Sequence, residues 1–170
     1  MRISDMANRI QPSLTRKLFD MAKQYDDVID FTLGDPDYET PDYIKKAGCE
    51  AILGGKTKYS ANAGLQELRN VISDRIKKET NIVYNPEKEI QITVGAMEGI
   101  YLSLCCLINP GEEVIIPTPY WVNYKHMTEI LNGVPVFVAA DEEHDFIVTA
   151  DAVRAAITDK TRVIIINSPN

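Results

Sequence analysis

From Glu89 onward the apolar positions change period in a regular way. Short apolar runs at Ile90–Val94, Glu113–Ile116, Val134–Val138 and Val163–Ile166 read as strands. Between them, Met97–Ile108, Trp121–Leu131 and Ala150–Ile157 carry apolar residues three and four apart, the spacing of one helical face. Strand alternating with helix predicts an α/β fold around a mostly parallel sheet. Within it, Met97, Ile100, Tyr101, Leu104, Cys105 and Ile108 make a face wide enough to lie flat on that sheet, and Pro110-Gly111 turns the chain back into it. The unbroken Val163-Ile164-Ile165-Ile166 suits a parallel strand buried on both faces.

Before residue 89 the pattern is mainly helical. Leu14, Leu18 and Met21 mark a short amphipathic helix over Ser13–Tyr25, and Val28–Leu33 reads as a strand broken by Gly34-Asp35-Pro36. Thr40-Pro41 predicts a helix start, a capping hydroxyl followed by proline at the first helical position, with the helix running to about Leu53 and ending at Gly54-Gly55. Leu65, Leu68, Ile72 and Ile76 mark a second helix ending near Thr80, and Asn85-Pro86 signals a turn. The first residues read as an N-terminal arm.

Composition narrows the class. With 170 residues, 45% apolar and 25% charged, the chain can bury a sizeable core. A formal charge of −7 argues against nucleic-acid and anionic-membrane partners, which call for a basic patch. The N-terminus lacks an apolar signal-like run, and Ile100–Ile108 is too short to span a bilayer, so a cytoplasmic protein is expected. Cys49, Cys105 and Cys106 have no metal-ligand spacing and read as small core hydrophobes, while His126 and His144 stand far apart; no metal site is expected.

Ligands of parallel α/β sheets bind beyond the carboxyl ends of strands. Three short segments hold those places: Gly95-Ala96-Met97, Pro117-Thr118-Pro119-Tyr120-Trp121 and Asn167-Ser168-Pro169-Asn170. At the first, a strand-to-helix turn offers free amides and the positive end of a helix dipole to an anion such as phosphate, although glycine there can also serve only the turn. Neither a Walker A pattern nor G-x-G-x-x-G is present. Trp121, the only tryptophan, either presents a flat surface to an aromatic ligand or packs the first turn of its own helix. Gly34 either lets backbone approach a ligand or meets an unusual φ. Lys56-Thr57-Lys58-Tyr59-Ser60 is either a ligand-facing loop or a solvated surface.

These ambiguous pieces occur together and in one order. Leu33-Gly34-Asp35-Pro36-Asp37 with Thr40-Pro41, Lys58-Tyr59 with Gly64-Leu65-Gln66-Glu67-Leu68-Arg69, and Thr93-Val94-Gly95-Ala96 resemble class I aminotransferases. So do Asn109-Pro110-Gly111-Glu112-Glu113-Val114, Pro119-Tyr120-Trp121 and Asn167-Ser168-Pro169-Asn170. The resemblance runs from about residue 28 to the last residue.

It implies part of a fold-type I, pyridoxal-phosphate-dependent transferase: a three-layer α/β/α arrangement preceded by an N-terminal helical arm. Residues 1–40 would form the arm and contribute to a small domain, and residues 41–170 would form part of the large, cofactor-binding domain. Pyridoxal 5'-phosphate would sit with its phosphate on the Gly95-Ala96-Met97 turn, held by the amides of Ala96 and Met97, and with its ring against Trp121. Gly34 would offer backbone to the substrate α-carboxylate, with Trp121 beside it. Tyr59 would reach the phosphate of a neighbouring subunit, implying a homodimer with composite sites.

The resemblance also places outside these residues the aspartate facing the pyridinium nitrogen, the Schiff-base lysine, the arginine that clamps the substrate, and the asparagine following Asn170. No catalytic residue is assigned within 1–170, which on their own are expected to be inactive, as a truncated portion. The implied reaction transfers an amino group between an amino acid, aspartate-like or broadly neutral, and a 2-oxo acid. A β-lyase or cyclopropane-forming synthase on the same fold, or a non-catalytic interaction module, are the alternatives.

Overall fold

The computed structural model describes residues 2–10, 14–29, 31, 34, 36–140, 142 and 145–168. In chain order the elements are α1 (Asp5–Arg9), α2 (Leu14–Ala22), α3 (Asp42–Leu53), α4 (Gln66–Thr80), α5 (Gly95–Leu107), β1 (Glu113–Thr118), α6 (Asn123–Ile130), β2 (Val134–Ala139), α7 (Ala150–Ala156) and β3 (Thr161–Ile164). They fall into two compact units, one of Met1–Val28 with Met97–Asn170 and one of Ile29–Ala96.

The first unit holds the sheet. Its three strands are parallel in the order β2-β1-β3. The chain moves from β1 to β2 through α6, then back past β1 to β3 through α7. By the right-handed rule for such crossovers, two that run in opposite directions place their helices on opposite faces, the three-layer arrangement. Central β1 is covered on both: Val114, Ile115 and Ile116 are each 0% exposed. Val114 and Ile116 pack with Leu104 and Ile108, and with Tyr124 and Met127 of α6, in one core cluster. Pro117 cannot donate to a ladder, and it stands beyond Ile115, the last β1 residue in register with β3.

The carboxylates opening β1 fasten the amino ends of the strands. Glu112 Oε1 accepts from Arg162 Nε at 2.8 Å, and Glu113 Oε2 accepts from the hydroxyls of Thr158 and Thr161 at 2.6 and 3.0 Å. As the sequence predicts, Gly111 turns the chain with φ +85°, and its N–H donates to Asn132 O at 2.8 Å.

The second unit is helical, built on α3, α4 and the turn after α4. Its α4 buries a polar stripe rather than the expected leucines: Arg69 and Ser73 are buried, whereas Leu65 and Leu68 are exposed and Ile72 and Ile76 half-buried. Arg69 Nη1 donates to Pro86 O at 2.7 Å, and Ser73 Oγ donates to Tyr84 O at 2.6 Å. The segment that α4 packs against therefore presents carbonyls, and side chains with hydrogen to donate satisfy them. Asn85 Oδ1 accepts the Glu87 N–H at 2.8 Å, an Asx turn that realises the Asn85-Pro86 signal.

Several expectations are corrected. Ile90–Val94 carries no strand; Ile92 N donates to Ala63 O at 3.0 Å, and one such bond makes no ladder. Strand β3 is half-exposed rather than buried on both faces, with Ile166 beyond it 80% exposed, because it is an edge of this sheet. All three cysteines are exposed. On α5 the buried line runs through Leu104, with Ile108 just past its end, and Cys105 and Cys106 follow Leu104 by about 100° and 200° of helical turn. The N-cap of α3 is Pro41 with no side-chain cap bond, so Thr40 does not cap it. The expected strand Val28–Leu33 includes Asp30, Thr32 and Leu33, which lie outside the described residues, as does Ser13 at the expected start of α2. Among the described residues no helix is long and apolar enough to cross a membrane, and no three His, Cys, Asp or Glu gather as a metal site.

Candidate functional site

In the first unit a crevice of about 430 Å³ opens at the carboxyl ends of β1 and β3. Its walls are largely apolar, including Ile116, Phe146 and Ile164, while Thr118, Tyr124 and Asn167 bring polar atoms to it. A parallel sheet collects ligands at this end, where loops leave the strands and carry side chains that the ladder does not use.

The segment after β1 forms an aromatic cluster. Tyr120 stacks on Phe137 with centroids 5.0 Å apart and planes at 24°. Trp121 meets Tyr124 edge to face, at 5.4 Å and 79°, and remains 41% exposed. Trp121 thus both packs the start of its helix and leaves aromatic surface open. Tyr124 is buried, and its hydroxyl donates to Asn167 Oδ1 at 3.2 Å, which ties the start of α6 to the segment after β3. Beside it, Asn123 Nδ2 lies 3.9 Å from Met97 Sδ, a weak bond to sulfur that reaches the first turn of α5.

Helix α5 opens at Gly95 with φ +79°, a conformation that favours glycine, and a Cβ there would meet nothing within 4 Å. The Gly95 N–H is taken by Thr93 O at 2.9 Å, and Thr93 Oγ1 donates to Gly95 O at 2.9 Å. The amides of Ala96 and Met97 follow in the first turn, where an α-helix has no carbonyl of its own to offer them. Glu98 shares that turn, so an anion bound there would have a carboxylate for a neighbour.

Gly34 and Tyr59 belong to the second unit. Gly34 is exposed, with open space where a Cβ would be and no left-handed φ, so neither crowding nor conformation calls for glycine in this structure. Tyr59 stands fully in solvent, 108% exposed, in the loop between α3 and α4. Asn170 and Pro169 lie outside the described residues.

Met97, Asn123, Trp121, Tyr124 and Asn167 are linked in one unit by the contacts above, and sequence reasoning missed Asn123 and Tyr124. The available signal was the spacing of Trp121 and Tyr124, three residues apart at the start of a predicted helix, which brings side chains onto one face.

The family described as aminotransferase class I and II has a model that matches residues 26–170. The aspartate aminotransferase of Pyrococcus abyssi is 42% identical over 169 residues, covering 99% of this chain and 43% of that protein. The aromatic-amino-acid aminotransferase 2 of Thermococcus litoralis is 39% identical over 170 residues, covering 100% and 44%. Among solved structures, the Thermus thermophilus aspartate aminotransferase with maleate matches with a TM-score of 0.91 at 35% identity, over 100% of this chain and 46% of that one. The chain spans less than half the length of these relatives.

Proposed function

The chain belongs to the class I and II aminotransferase family, and from that premise we propose that the whole protein transfers an amino group between an amino acid and a 2-oxo acid with pyridoxal 5'-phosphate, as a cytoplasmic homodimer. The observation that carries this reading is the exposed Trp121 at the carboxyl end of β1, in the same unit as a crevice and braced to the segment after β3.

Two features, one in each unit, support the cofactor reading: Gly95, at a helix start of the kind that takes a phosphate, has nothing within 4 Å of where a Cβ would stand, and Trp121 is exposed enough to take a ring. In this reading the amides of Ala96 and Met97 donate to phosphate oxygens, and Trp121 lies against the pyridine ring. Gly34 presents backbone to the substrate α-carboxylate, and Tyr59 donates from one subunit to the phosphate held by the other. The cofactor supplies an aldehyde that accepts the amino group and a ring that withdraws electrons from the substrate Cα. Acid–base and covalent catalysis fall to residues outside 1–170.

An aspartate-like or broadly neutral amino donor agrees with the names of the relatives, aspartate and aromatic-amino-acid aminotransferases, and with maleate, a dicarboxylate, in the Thermus structure. The test incubates full-length protein with aspartate and with neutral amino acids, with and without 2-oxoglutarate. Keto acid formed from the donor only when the acceptor is present supports transamination. Keto acid released with ammonia in its absence would place the protein among lyases of the same fold.

A further inference from the structure

Met97 of α5, the Tyr120-Trp121 corner and Asn167 come from three different parts of the chain. Two adjacent residues at the start of α6 touch all three. Asn123 reaches Met97 Sδ at 3.9 Å, and Tyr124 meets Trp121 edge to face and holds Asn167 by its hydroxyl at 3.2 Å.

Tyr124 is built for a fixed position. It is 7% exposed and belongs to the core cluster with Leu104, Val114, Ile116 and Met127. Its hydroxyl nevertheless finds a partner at the rim of the crevice, since Tyr124 and Asn167 both line it. A core phenylalanine would fill the same volume without that bond. An edge-to-face pair constrains the tilt of the exposed partner, because the positive ring edge seeks the negative face. Trp121, still 41% open, therefore presents its surface at an angle set by Tyr124.

We propose that Tyr124 is a positioning residue of the cofactor site, whose buried ring sets the plane of Trp121 and whose hydroxyl locks Asn167 to it, so that ring platform and strand-end loop move as one piece. The proposal rests on the reading of Trp121 as the ring platform. Tyr124 touches neither cofactor nor substrate in it; its effect passes through Trp121 and Asn167.

The test uses full-length apoprotein and pyridoxal phosphate, with affinity read from the part of the tryptophan fluorescence that Trp121→Phe removes. Tyr124→Phe keeps the ring and drops the hydroxyl; Asn167→Ala removes the acceptor from an exposed position and remains usable should the core variant fail to fold. Each is expected to raise Kd about threefold to tenfold, the range of one hydrogen bond. The double variant should be no weaker than the weaker single, because both remove the same bond. The near-ultraviolet circular dichroism assigned to Trp121 should change in both singles.

Effects that multiply in the double variant would show two separate roles and overturn the proposal. So would an unchanged Kd in either single, whatever happens to the melting temperature, since a structural bond alone lowers stability without touching affinity. If the parent itself shows no quenching of Trp121 at saturating cofactor, the ring-platform reading has failed first, and this proposal falls with it.

Discussion

Arg162 donates to Glu112 at 2.8 Å across fifty positions of sequence, and so binds the residue before β1 to the second residue of β3. Glu112 is held further from its other oxygen, which accepts the Asn109 N–H at 2.7 Å and the Asn109 side-chain amide at 3.2 Å. The backbone bond from Asn109 is the largest cause that lowers its pKa below the usual carboxylate value; burial, the next largest, opposes it, and the Asn109 side chain and Arg162 add to the lowering.

A lowered carboxylate pKa has a definite sign in stability. The anion is favoured by the folded state, so its contribution is fully present above the unfolded pKa of about 4.3 and is lost as pH falls through the lower folded value. Glu112→Gln should therefore lower the urea midpoint of the full-length protein near neutrality and narrow its gap to the parent in acid. A gap that widens as pH falls below about 4 would contradict the assignment.

Gly64 and Gly95 both have positive φ, +91° and +79°, but their surroundings differ. A Cβ at Gly64 would stand 2.4 Å from Ile92 Cγ1, whereas one at Gly95 would meet nothing within 4 Å. Gly95→Ala should cost about 1–2 kcal/mol from backbone strain alone. Gly64→Ala adds overpacking of about 1–3 kcal/mol and should be the more destabilised by thermal or urea unfolding. Equal losses would mean that Ile92 gives way freely.

These comparisons show where sequence was legible. Glu113–Ile116 and Val134–Val138 were readable because apolar β-formers bounded by turns have few other uses, and their pairing follows from short crossovers. Ile90–Val94 has the same composition and forms no strand among the described residues, because a strand needs a ladder partner and none of the three strands pairs with it. Cys105 is apolar in character but one residue out of phase with Leu104, and helical phase outweighed composition. Trp121 was legible as a site candidate from its place after a strand, whereas the Gly95 turn was singled out for following Ile90–Val94, which forms no strand here. The contact of Tyr124 with Asn167 was not legible, since forty-three positions separate them and only the folded unit brings them together.

Trp121 leads to an optical prediction. Pyridoxal phosphate added to full-length apoprotein should quench the fluorescence that Trp121→Phe abolishes, because an aromatic cofactor stacked on an indole face lies within quenching contact. Quenching that persists undiminished in Trp121→Phe would return the residue to packing the start of α6.

Residues 1–170 alone should bind pyridoxal phosphate weakly and reversibly and show no transaminase activity, because the family resemblance assigns the covalent lysine elsewhere. Borohydride reduction and peptide mapping check this. One stoichiometric pyridoxyl-lysine within these residues, accompanied by activity, would overturn it.

Tyr59 gives the test of composite sites. Its phenol stands wholly in solvent in a loop between two helices, so its hydroxyl is available to a second copy of the chain, and one such group can donate a single bond to a phosphate oxygen. Tyr59→Phe in the complete protein should weaken cofactor retention by roughly 1.5–3 kcal/mol, the range for a bond to a charged acceptor, and leave the melting temperature of the apoprotein unchanged. Mixed dimers then decide which site it serves. One subunit carries Tyr59→Phe and the other lacks the downstream lysine, so only the first subunit keeps an intact lysine. If Tyr59 acts across the interface, that lysine-intact site receives its tyrosine from the other subunit and retains cofactor like the parent. A full Tyr59→Phe defect at that site would show that the tyrosine serves its own subunit, and the composite dimer would be wrong even if the aminotransferase reaction is right.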